Sequence, residues 1–304
     1  MPQTSVPTPS AWQAAGNYYD FNGHPVFFRD SGGELPALLL IHGFPTASWD
    51  WAPLWDKLSQ HFRLIAPDML GFGFSAKPKH HQYDLIEQAD IHLALLKQLG
   101  INEYHALVHD YGVSVMQELI ARQREQAPTP RIHSACFLNG GLFPALHRPQ
   151  PIQRLLISPL GPLLSRLTSK GQFKRSFSKV FGVNSQPSEF ELDGFWELIQ
   201  QQQGHRIMHR LMRYMVDRKK HEQRWCDAIL NPGIPVRLIN GSQDPVSGKH
   251  LADYYRRTVN NPDVISLAEV GHYPQVEAPD LVSQHFLAFN PVTAPSAQSV
   301  TLSQ

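Results

Sequence analysis

The sequence has few cysteines, almost no net charge and no long apolar run. Only two of the 304 residues are cysteines, Cys136 and Cys226, which is too few for a disulfide-stabilised scaffold and favours a reducing location. A formal net charge of +1 gives no electrostatic basis for binding nucleic acid. No apolar run approaches the roughly 20 residues that a membrane-spanning helix needs. We therefore expect a cytoplasmic protein with no membrane span and no nucleic-acid partner.

Both termini lack the patterns of folded segments. Residues 1–16 are polar and contain three prolines. They have no basic start followed by an apolar core, so they do not resemble a signal peptide. Residues 291–304 are rich in Ser, Thr, Pro and Ala. We predict a flexible N-terminus over 1–16 and a disordered tail over 291–304.

Between the termini, apolar strand patterns alternate with helical patterns. Asn22-Gly23 separates two strand-like runs over 18–30, which is typical of a tight hairpin. Further apolar runs predict strands over 37–43, 62–68, 104–110, 131–140, 234–241 and 263–271. Helical spacing predicts helices over 84–100, 112–124, 248–257 and 279–289. Continuous apolar strands separated by helices indicate an α/β fold with a mostly parallel central sheet and helices on both faces.

The alternation stops in the middle of the chain. Residues 144–225 have many Arg, Lys and Gln and no convincing strand, so we predict a helical cap inserted into a core formed by 17–143 and 226–290. The basic stretch 205–225 is interpreted as a solvated helix face, and a membrane-surface helix is the alternative. The residues expected to pack this stretch on the core are Ile207, Leu211, Tyr214 and Met215.

Polar residues follow several of the predicted strands. Asp110 ends one strand, Asp244 lies on a loop just beyond another, and His272 follows the last strand. The sequence His42-Gly43-Phe44-Pro45 stands at the end of a fourth. Open parallel sheets bind ligands at the carboxyl ends of their strands. The chain order of these three residues is the hydrolase order of nucleophile, acid and base. We therefore expect a catalytic site at this edge of the sheet.

Asp110 has two competing interpretations. An acidic residue directly before a helix is a common N-terminal cap. If Asp110 is only a cap, Ser114 would be the nucleophile of an esterase-like enzyme. Otherwise Asp110 is itself the nucleophile. The sequence argues against Ser114 because it lies one turn inside the predicted helix, and Met116 replaces the last glycine of a Gly-x-Ser-x-Gly motif.

The sequence contains no convincing cofactor or metal motif. Gly71, Gly73 and Ala76 match a GxGxxA pattern, but Lys77-Pro78 interrupts any helix that would follow, so tight loop packing is the better interpretation. The 16 histidines include no HExxH motif and no Cys/His cluster. We expect neither a cofactor nor a metal.

Several longer strings resemble a known family. The strings are "IHGFPTASWDW", "APDMLGFGFS", "HDYG", "GSQDP" and "GHYPQVE". Together they resemble the α/β-hydrolase superfamily over about residues 17–290. Aspartate at the turn resembles its epoxide hydrolase and haloalkane dehalogenase branch. "NGGLFPALHRP" and "YMVDRKK" are similar to the mesoderm-specific transcript group within that superfamily.

The resemblance implies a two-step mechanism. Asp110 would attack an electrophilic carbon to form an alkyl-enzyme ester, and His272, oriented by Asp244, would activate water against that ester. The backbone N–H groups of Phe44 and Tyr111 would form the oxyanion hole. Aspartate suits attack at a saturated carbon because the resulting ester has a carbonyl that water can attack, whereas a serine ether has none.

Departures from the branch pattern narrow the expected chemistry. Dehalogenases usually have tryptophan where Tyr111 stands and asparagine where Phe44 stands, so the resemblance favours an epoxide hydrolase-like enzyme for a small apolar electrophile. Epoxide hydrolases generally use two cap tyrosines as acids, and the predicted cap contains only Tyr214. Haloalkane dehalogenase-like and β-lactone-processing chemistry remain alternatives. A non-catalytic binding protein that retains the fold is the alternative from a different class.

Overall fold

An eight-stranded, mostly parallel sheet runs through the protein in the computed structural model, which describes residues 6–291. The strands are β1 (Asn17–Phe21), β2 (His24–Asp30), β3 (Ala37–Ile41), β4 (Arg63–Pro67), β5 (Glu103–Val108), β6 (Arg131–Phe137), β7 (Val236–Gly241) and β8 (Asp263–Leu267). Their order across the sheet is β1-β2-β4-β3-β5-β6-β7-β8. The β1–β2 and β2–β4 pairs are antiparallel, and all other pairs are parallel. The predicted fold class is confirmed.

The central strands are apolar because both faces of the sheet are covered. In β3, Leu38 and Leu40 pack into one apolar layer while Leu39 and Ile41 pack into the other, and all four are fully buried. Side chains alternate between the faces of a strand, so a sheet buried on both sides needs apolar residues at every position. The uninterrupted run "ALLLI" satisfies this requirement.

Helices account for most of the remaining chain. Those of the two layers on the sheet are α1 (Pro9–Ala14), α2 (Ala52–Leu58), α3 (Leu85–Gln98), α4 (Tyr111–Arg124), α12 (Lys249–Thr258), α13 (Pro274–Glu277) and α14 (Pro279–Phe289). The predicted strands over 131–140 and 263–271 end earlier than expected, at Phe137 and Leu267. Their last residues form loops at the carboxyl edge of the sheet, where the polar residues gather.

The predicted flexibility of residues 1–16 is wrong for the part that forms α1. The Thr8 hydroxyl caps this helix by accepting from the Ala11 N–H at 3.2 Å. Trp12 is buried, and its indole N–H donates to Ser48 at 3.1 Å. Its ring also contacts the guanidinium of Arg29, 4.3 Å from the ring centroid. One buried tryptophan therefore fixes a segment whose composition indicated flexibility. Residues 1–5 of that prediction, and the tail from 292, lie outside the described residues.

Between β6 and β7 the chain forms only helices. They are α5 (Pro151–Ile157), α6 (Gly161–Leu167), α7 (Lys170–Phe177), α8 (Glu189–Gln200), α9 (Met208–Leu211), α10 (Tyr214–Lys220) and α11 (Glu222–Leu230), with short 3-10 turns at Pro144–Leu146, Ser178–Val180 and Gln201–Ile207. The helix α11 crosses the predicted boundary at 225/226. The division into core and cap stays a prediction.

The end of this helical segment is tied to α4 by one buried carboxylate. Glu118 accepts from Arg122 Nε at 2.8 Å, from Arg224 Nε at 2.8 Å and from Trp225 Nε1 at 2.8 Å. Trp225 itself is 1% exposed. None of the helices within residues 6–291 has the length and apolar character that crossing a membrane requires.

Candidate active site

A strained turn between β5 and α4 presents Asp110 at the carboxyl edge of the sheet. Asp110 has φ 44° and ψ −103°, a backbone conformation that residues other than glycine rarely adopt. Its backbone N–H donates to the Asn139 carbonyl at 2.8 Å, which fixes the turn against the end of β6. The carboxylate accepts from the Phe44 N–H at 2.9 Å rather than from an N–H group of α4. The side chain therefore faces the site and is not a helix cap.

The structure brings Asp110, Asp244 and His272 together. His272 Nδ1 lies 2.7 Å from Asp244 Oδ2, and Nε2 lies 3.4 Å from Asp110 Oδ2. All three residues are at least 94% buried. The imidazole thus connects the two carboxylates, with one ring nitrogen on each. This geometry allows the histidine to be oriented by Asp244 while it serves a group bound at Asp110.

Asp244 is held by donors from two loops. Its Oδ1 accepts from the Val246 N–H at 2.7 Å. Its Oδ2 accepts from the Ser247 N–H at 3.0 Å, from the Ser247 hydroxyl at 2.6 Å and from Asn139 Nδ2 at 2.9 Å. Burial raises the pKa of Asp244, but the charge of His272 and these hydrogen bonds outweigh it and lower that pKa to about 2. Asp244 is therefore an anion at every physiological pH.

The charges of Asp110 and His272 stabilise each other. Burial raises the pKa of Asp110, but the contact with His272 and its positive charge hold that pKa well below the ordinary value. Burial lowers the pKa of His272, but the carboxylates of Asp244 and Asp110 outweigh it and raise that pKa to about 10. In the free protein at neutral pH, Asp110 is consequently a carboxylate and His272 an imidazolium.

The loop after β3 supplies a backbone donor to the same carboxylate. Phe44 donates its N–H to Asp110 Oδ1, and its carbonyl accepts from the Tyr273 hydroxyl at 3.0 Å, which fixes the peptide orientation. Tyr111 is the first residue of α4, so its N–H has no acceptor within the helix. The two N–H groups named by the sequence prediction flank Asp110 in the structure, at the end of one loop and at a helix N-terminus.

Tyr214 lies on α10 above these residues. It is 1% exposed, and its ring centroid is 4.8 Å from that of Tyr111 and 6.2 Å from that of Phe44. Its hydroxyl, like that of Tyr111, has no hydrogen-bond partner among residues 6–291. Burial raises the pKa of Tyr214 far above its ordinary value. The Tyr214 hydroxyl is therefore protonated and free to donate to a bound molecule.

Four further residues contribute to the site and were not predicted. Asn139 holds Asp244 and the Asp110 backbone, and its position two residues after the end of β6 was the available signal. His109, next to Asp110, lies with Nε2 2.7 Å from the His272 carbonyl oxygen. His147 and Arg218 lie near Asp110 and come from the helical segment.

The interpretation of 205–225 as a solvated face is wrong for Arg218, which is 3% exposed. It follows Tyr214 by four positions, on the same helix face.

The other interpretations from the sequence find no support at the site. Ser114 is 1% exposed, and its hydroxyl has no hydrogen-bond partner in the described chain, so no base activates it. The glycine-rich loop after β4 is followed by no helix until α3, so it does not open a helix as a dinucleotide-binding motif does. Within residues 6–291, no group of three or more His, Cys, Asp or Glu is arranged to hold a metal ion.

Comparison with known proteins identifies the family. The model of the alpha/beta hydrolase fold matches residues 36–279. The chain belongs to the α/β hydrolase fold family. It is 39% identical to the mesoderm-specific transcript protein of Mus musculus over 289 residues, covering 91% of this chain and 86% of that protein. It is 34% identical to the putative hydrolase LipZ of Mycobacterium tuberculosis over 282 residues, covering 93% and 98%. Both predicted resemblances are confirmed, and this member of the family is a hydrolase.

Solved structures of this hydrolase family are similar in fold. The haloalkane dehalogenase DbeA from Bradyrhizobium elkani superposes with a TM-score of 0.76 at 21% identity, covering 91% of this chain and 99% of that chain. The epoxide hydrolase CorEH superposes with a TM-score of 0.73 at 21% identity, covering 90% and 97%. Identities this low establish the common fold, and the chemistry has to be argued from the residues of the site.

Proposed function

We propose that this hydrolase uses Asp110 as its nucleophile and forms an alkyl-enzyme ester that water then hydrolyses. The observation that carries the proposal is the different environment of the two Asp110 oxygens. Oδ1 accepts from the Phe44 N–H at 2.9 Å, and Oδ2 faces His272 Nε2 at 3.4 Å. One oxygen thus occupies the position of a carbonyl in an oxyanion hole, while the other is directed to the reacting side.

An epoxide ring is the electrophile that these residues suit best. Asp110 Oδ2 attacks a ring carbon and forms the ester bond, while the ring C–O bond breaks and its electron pair stays on the ring oxygen. That oxygen takes a proton from the Tyr214 hydroxyl, which is protonated and has no partner in the described chain. The strained conformation of Asp110 supports its role as the attacking group, since strain of this kind concentrates at functional sites.

Hydrolysis of the ester requires a neutral His272. Esterification removes the negative charge of Asp110, which is one of the two causes that raise the His272 pKa. The pKa therefore falls once the ester forms, so His272 releases its proton to solvent, and the neutral imidazole then takes a proton from water. The resulting hydroxide attacks Cγ of Asp110, and the N–H groups of Phe44 and Tyr111 stabilise the oxyanion at Oδ1. The bond between Cγ and Oδ2 of Asp110 breaks, and the departing alkoxide takes the proton from His272. The proton on the Asp110 carboxyl group passes to the Tyr214 phenolate, and His272 takes up a proton from solvent, which restores the free enzyme.

This scheme uses side chains of the protein and water, and we propose that the enzyme needs no cofactor. The two cysteines are free, which supports a reducing cytoplasmic location. Haloalkane or β-lactone substrates would use the same Asp110 and His272. The unpaired Tyr214 hydroxyl favours an epoxide, because ring opening at an epoxide produces an alkoxide that must be protonated.

Isotope labelling under single turnover tests the role of Asp110. In ¹⁸O-water with enzyme in excess over an epoxide, we expect one ¹⁸O in the peptide that contains Asp110 and unlabelled oxygen in the diol. The His272→Gln variant should accumulate an adduct of epoxide mass on Asp110, because formation of the ester does not need the base. Turnover with ¹⁸O only in the product and none in Asp110 would contradict the proposal. Binding of a partner that Asp110→Ala leaves intact, with no turnover of any electrophile, would favour a non-catalytic protein.

A further inference from the structure

A buried arginine near Asp110 has no carboxylate partner. Arg218 lies on α10 with 3% of its surface exposed, and Nη2 donates to the Gly141 carbonyl. A guanidinium carries five N–H donors. Its Nε has no acceptor among residues 6–291, and no Asp or Glu there forms an ion pair with it. Buried charges are normally paired, so this cation lacks the partner that its burial calls for.

Two consecutive glycines place this cation beside the nucleophile. A Cβ atom on Gly140 would lie 3.0 Å from the Asp110 Cα atom, and one on Gly141 would lie 1.6 Å from Arg218 Nη2. The loop after β6 therefore contacts the nucleophile turn with one residue and the guanidinium with the next. Any side chain at 141 would displace the guanidinium. The guanidinium carbon also lies 6.0 Å from the ring centroid of Tyr214, the proposed acid.

Other polar groups around Arg218 are equally without partners. Both ring nitrogens of His147 are buried and bond to nothing in residues 6–291, and the same holds for the hydroxyls of Tyr111 and Tyr214. Burial and the charge of Arg218 lower the pKa of His147 to about 4, so its imidazole is neutral and carries one N–H. A substrate without polar groups would leave all of these atoms unsatisfied, at a large desolvation cost.

The carboxylates of the site do not need Arg218 as a counter-charge. Asp244 and Asp110 share the imidazolium of His272, and both also accept backbone N–H groups. Asp217, the residue next to Arg218, has a buried Oδ2 that finds no partner in the described chain, so the two neighbours do not pair with each other. The guanidinium is consequently available to an anion that enters from outside.

We infer that the substrate is an electrophile that carries a carboxylate, and that Arg218 binds this group while Asp110 attacks the neighbouring carbon skeleton. The inference rests on the proposed role of Asp110 and replaces the apolar electrophile predicted from the sequence. A carboxylate accepts two parallel N–H bonds from one guanidinium, which fixes the orientation of the molecule as well as its position. His147 is placed to donate a further hydrogen bond to the same substrate.

A matched pair of compounds tests the inference on the unmodified protein. The probes are a short epoxy carboxylic acid and its primary amide, which have nearly the same shape and differ in charge. We expect wild-type enzyme to form the Asp110 ester from the acid at least ten times faster than from the amide, measured by mass spectrometry after rapid quenching. Equal rates for both compounds, or a faster rate for the amide, would overturn the inference even if Arg218 variants do not fold.

Substitutions then assign the preference to Arg218. The ratio of acid to amide rates should fall to about one in Arg218→Gln and stay partly preserved in Arg218→Lys, which keeps the charge but loses the bidentate fork. Arg213→Gln is the matched control, because Arg213 is exposed on the preceding turn. Thermal melting shows whether each variant folds. A preference that Arg218→Gln leaves unchanged in a folded variant would contradict the assignment.

A non-reactive ligand separates this inference from the proposed function. Calorimetric titration with the saturated carboxylic acid measures binding without any chemistry, and we expect at least a ten-fold weaker Kd for Arg218→Gln than for wild type. Arg218-dependent binding with no adduct on Asp110 from any epoxide would retain the anion site and refute the nucleophile. An Asp110 adduct that forms equally in wild type and Arg218→Gln would retain the nucleophile and refute the anion site.

Discussion

His272 Nε2 lies 3.4 Å from Asp110 Oδ2, so a buried imidazolium contacts the carboxylate that is proposed to react. The contact ties the protonation of the histidine to the chemical state of the aspartate. While Asp110 is an anion, it helps to keep His272 charged, and once Asp110 is esterified this support disappears. The same residue can therefore be an ion-pair partner in the free enzyme and a base in the intermediate.

The titration of His272 should report this coupling directly. In wild type its pKa is raised to about 10, and in Asp110→Asn we expect a clearly lower value because Asp244 alone remains as an anionic neighbour. Two-dimensional NMR of ¹⁵N-labelled imidazoles measures both values. An unchanged His272 pKa in a folded Asp110→Asn protein would show that the contact has no electrostatic consequence, and His109 provides a buried histidine for comparison.

The same ion pair predicts how stability depends on alkaline pH. The folded-state pKa of His272 is raised above its ordinary 6.5, so its stabilising contribution is complete below pH 6.5 and is lost as the pH rises through about 10. We expect the free energy of unfolding to decrease over this window in wild type. Urea denaturation at several pH values checks this, and the decrease should be smaller in Asp110→Asn. A slope that is the same in both proteins would assign the decrease to other groups.

Asp110 and Ser114 should respond in opposite ways to substitution. Asp110→Asn removes the proposed nucleophile, and we expect the turnover rate to fall about 10⁴-fold, as for the loss of a triad residue. Ser114→Ala removes a buried hydroxyl that has no partner within residues 6–291, so turnover and stability should both stay near the wild-type values. Steady-state kinetics with one epoxide measures both variants. Loss of activity in Ser114→Ala would restore the esterase interpretation.

Asn139→Ala should weaken both the fold and the site. Asn139 Oδ1 accepts from the Gly241 N–H at 2.6 Å, and Nδ2 donates to the Gly241 carbonyl at 3.0 Å and to Asp244. Alanine removes these three buried hydrogen bonds, and we expect a loss of about 2–4 kcal/mol in the free energy of unfolding, with a lower kcat. Chemical denaturation and kinetics measure the two effects. A variant as stable as Ser114→Ala would show that water replaces the amide at no cost.

Glu118→Gln should destabilise the junction of α4 and α11. Burial raises the pKa of Glu118, but hydrogen bonds from Arg224, Trp225 and Arg122 outweigh it and hold that pKa below its ordinary value. The contribution of Glu118 is thus present above about pH 4.3 and is lost as the pH falls through the folded-state pKa. At pH 7 we expect a loss of about 1–3 kcal/mol on substitution. Urea denaturation measures this loss.

A neighbouring carboxylate provides the control for Glu118. Glu125 also pairs with Arg224, but its side chain is 57% exposed. Exposed ion pairs contribute little, so Glu125→Gln should change the free energy of unfolding by less than about 1 kcal/mol. Equal effects of the two substitutions at pH 7 would contradict the role given to Glu118 at this junction. The same would follow if both variants lost stability equally as the pH falls.

The sequence predicted the sheet and the residues at its edge because both depend on local patterns. Continuous apolar runs mark the central strands, and Asp110, Asp244 and His272 lie within five residues of the ends of β5, β7 and β8. The contribution of the helical segment could not be predicted in the same way. Arg218 stands among five other Arg and Lys residues over 205–220, and only its packing on the Gly140-Gly141 loop distinguishes it from solvated neighbours. Contacts between residues 77 positions apart leave no local signature.

The helix that starts at Tyr111 has a second consequence through Glu118. One end of α4 carries the turn at Asp110, and two turns later Glu118 binds Arg224 and Trp225 at the point where the helical segment returns to the sheet. The returning chain is therefore bound to α4, the same helix that begins directly after Asp110. We expect a substrate to gain access through displacement of α5 and α6, at the opposite end of the segment, where several leucines remain exposed. The helical segment would then rotate about its C-terminal end, which stays fixed to α4.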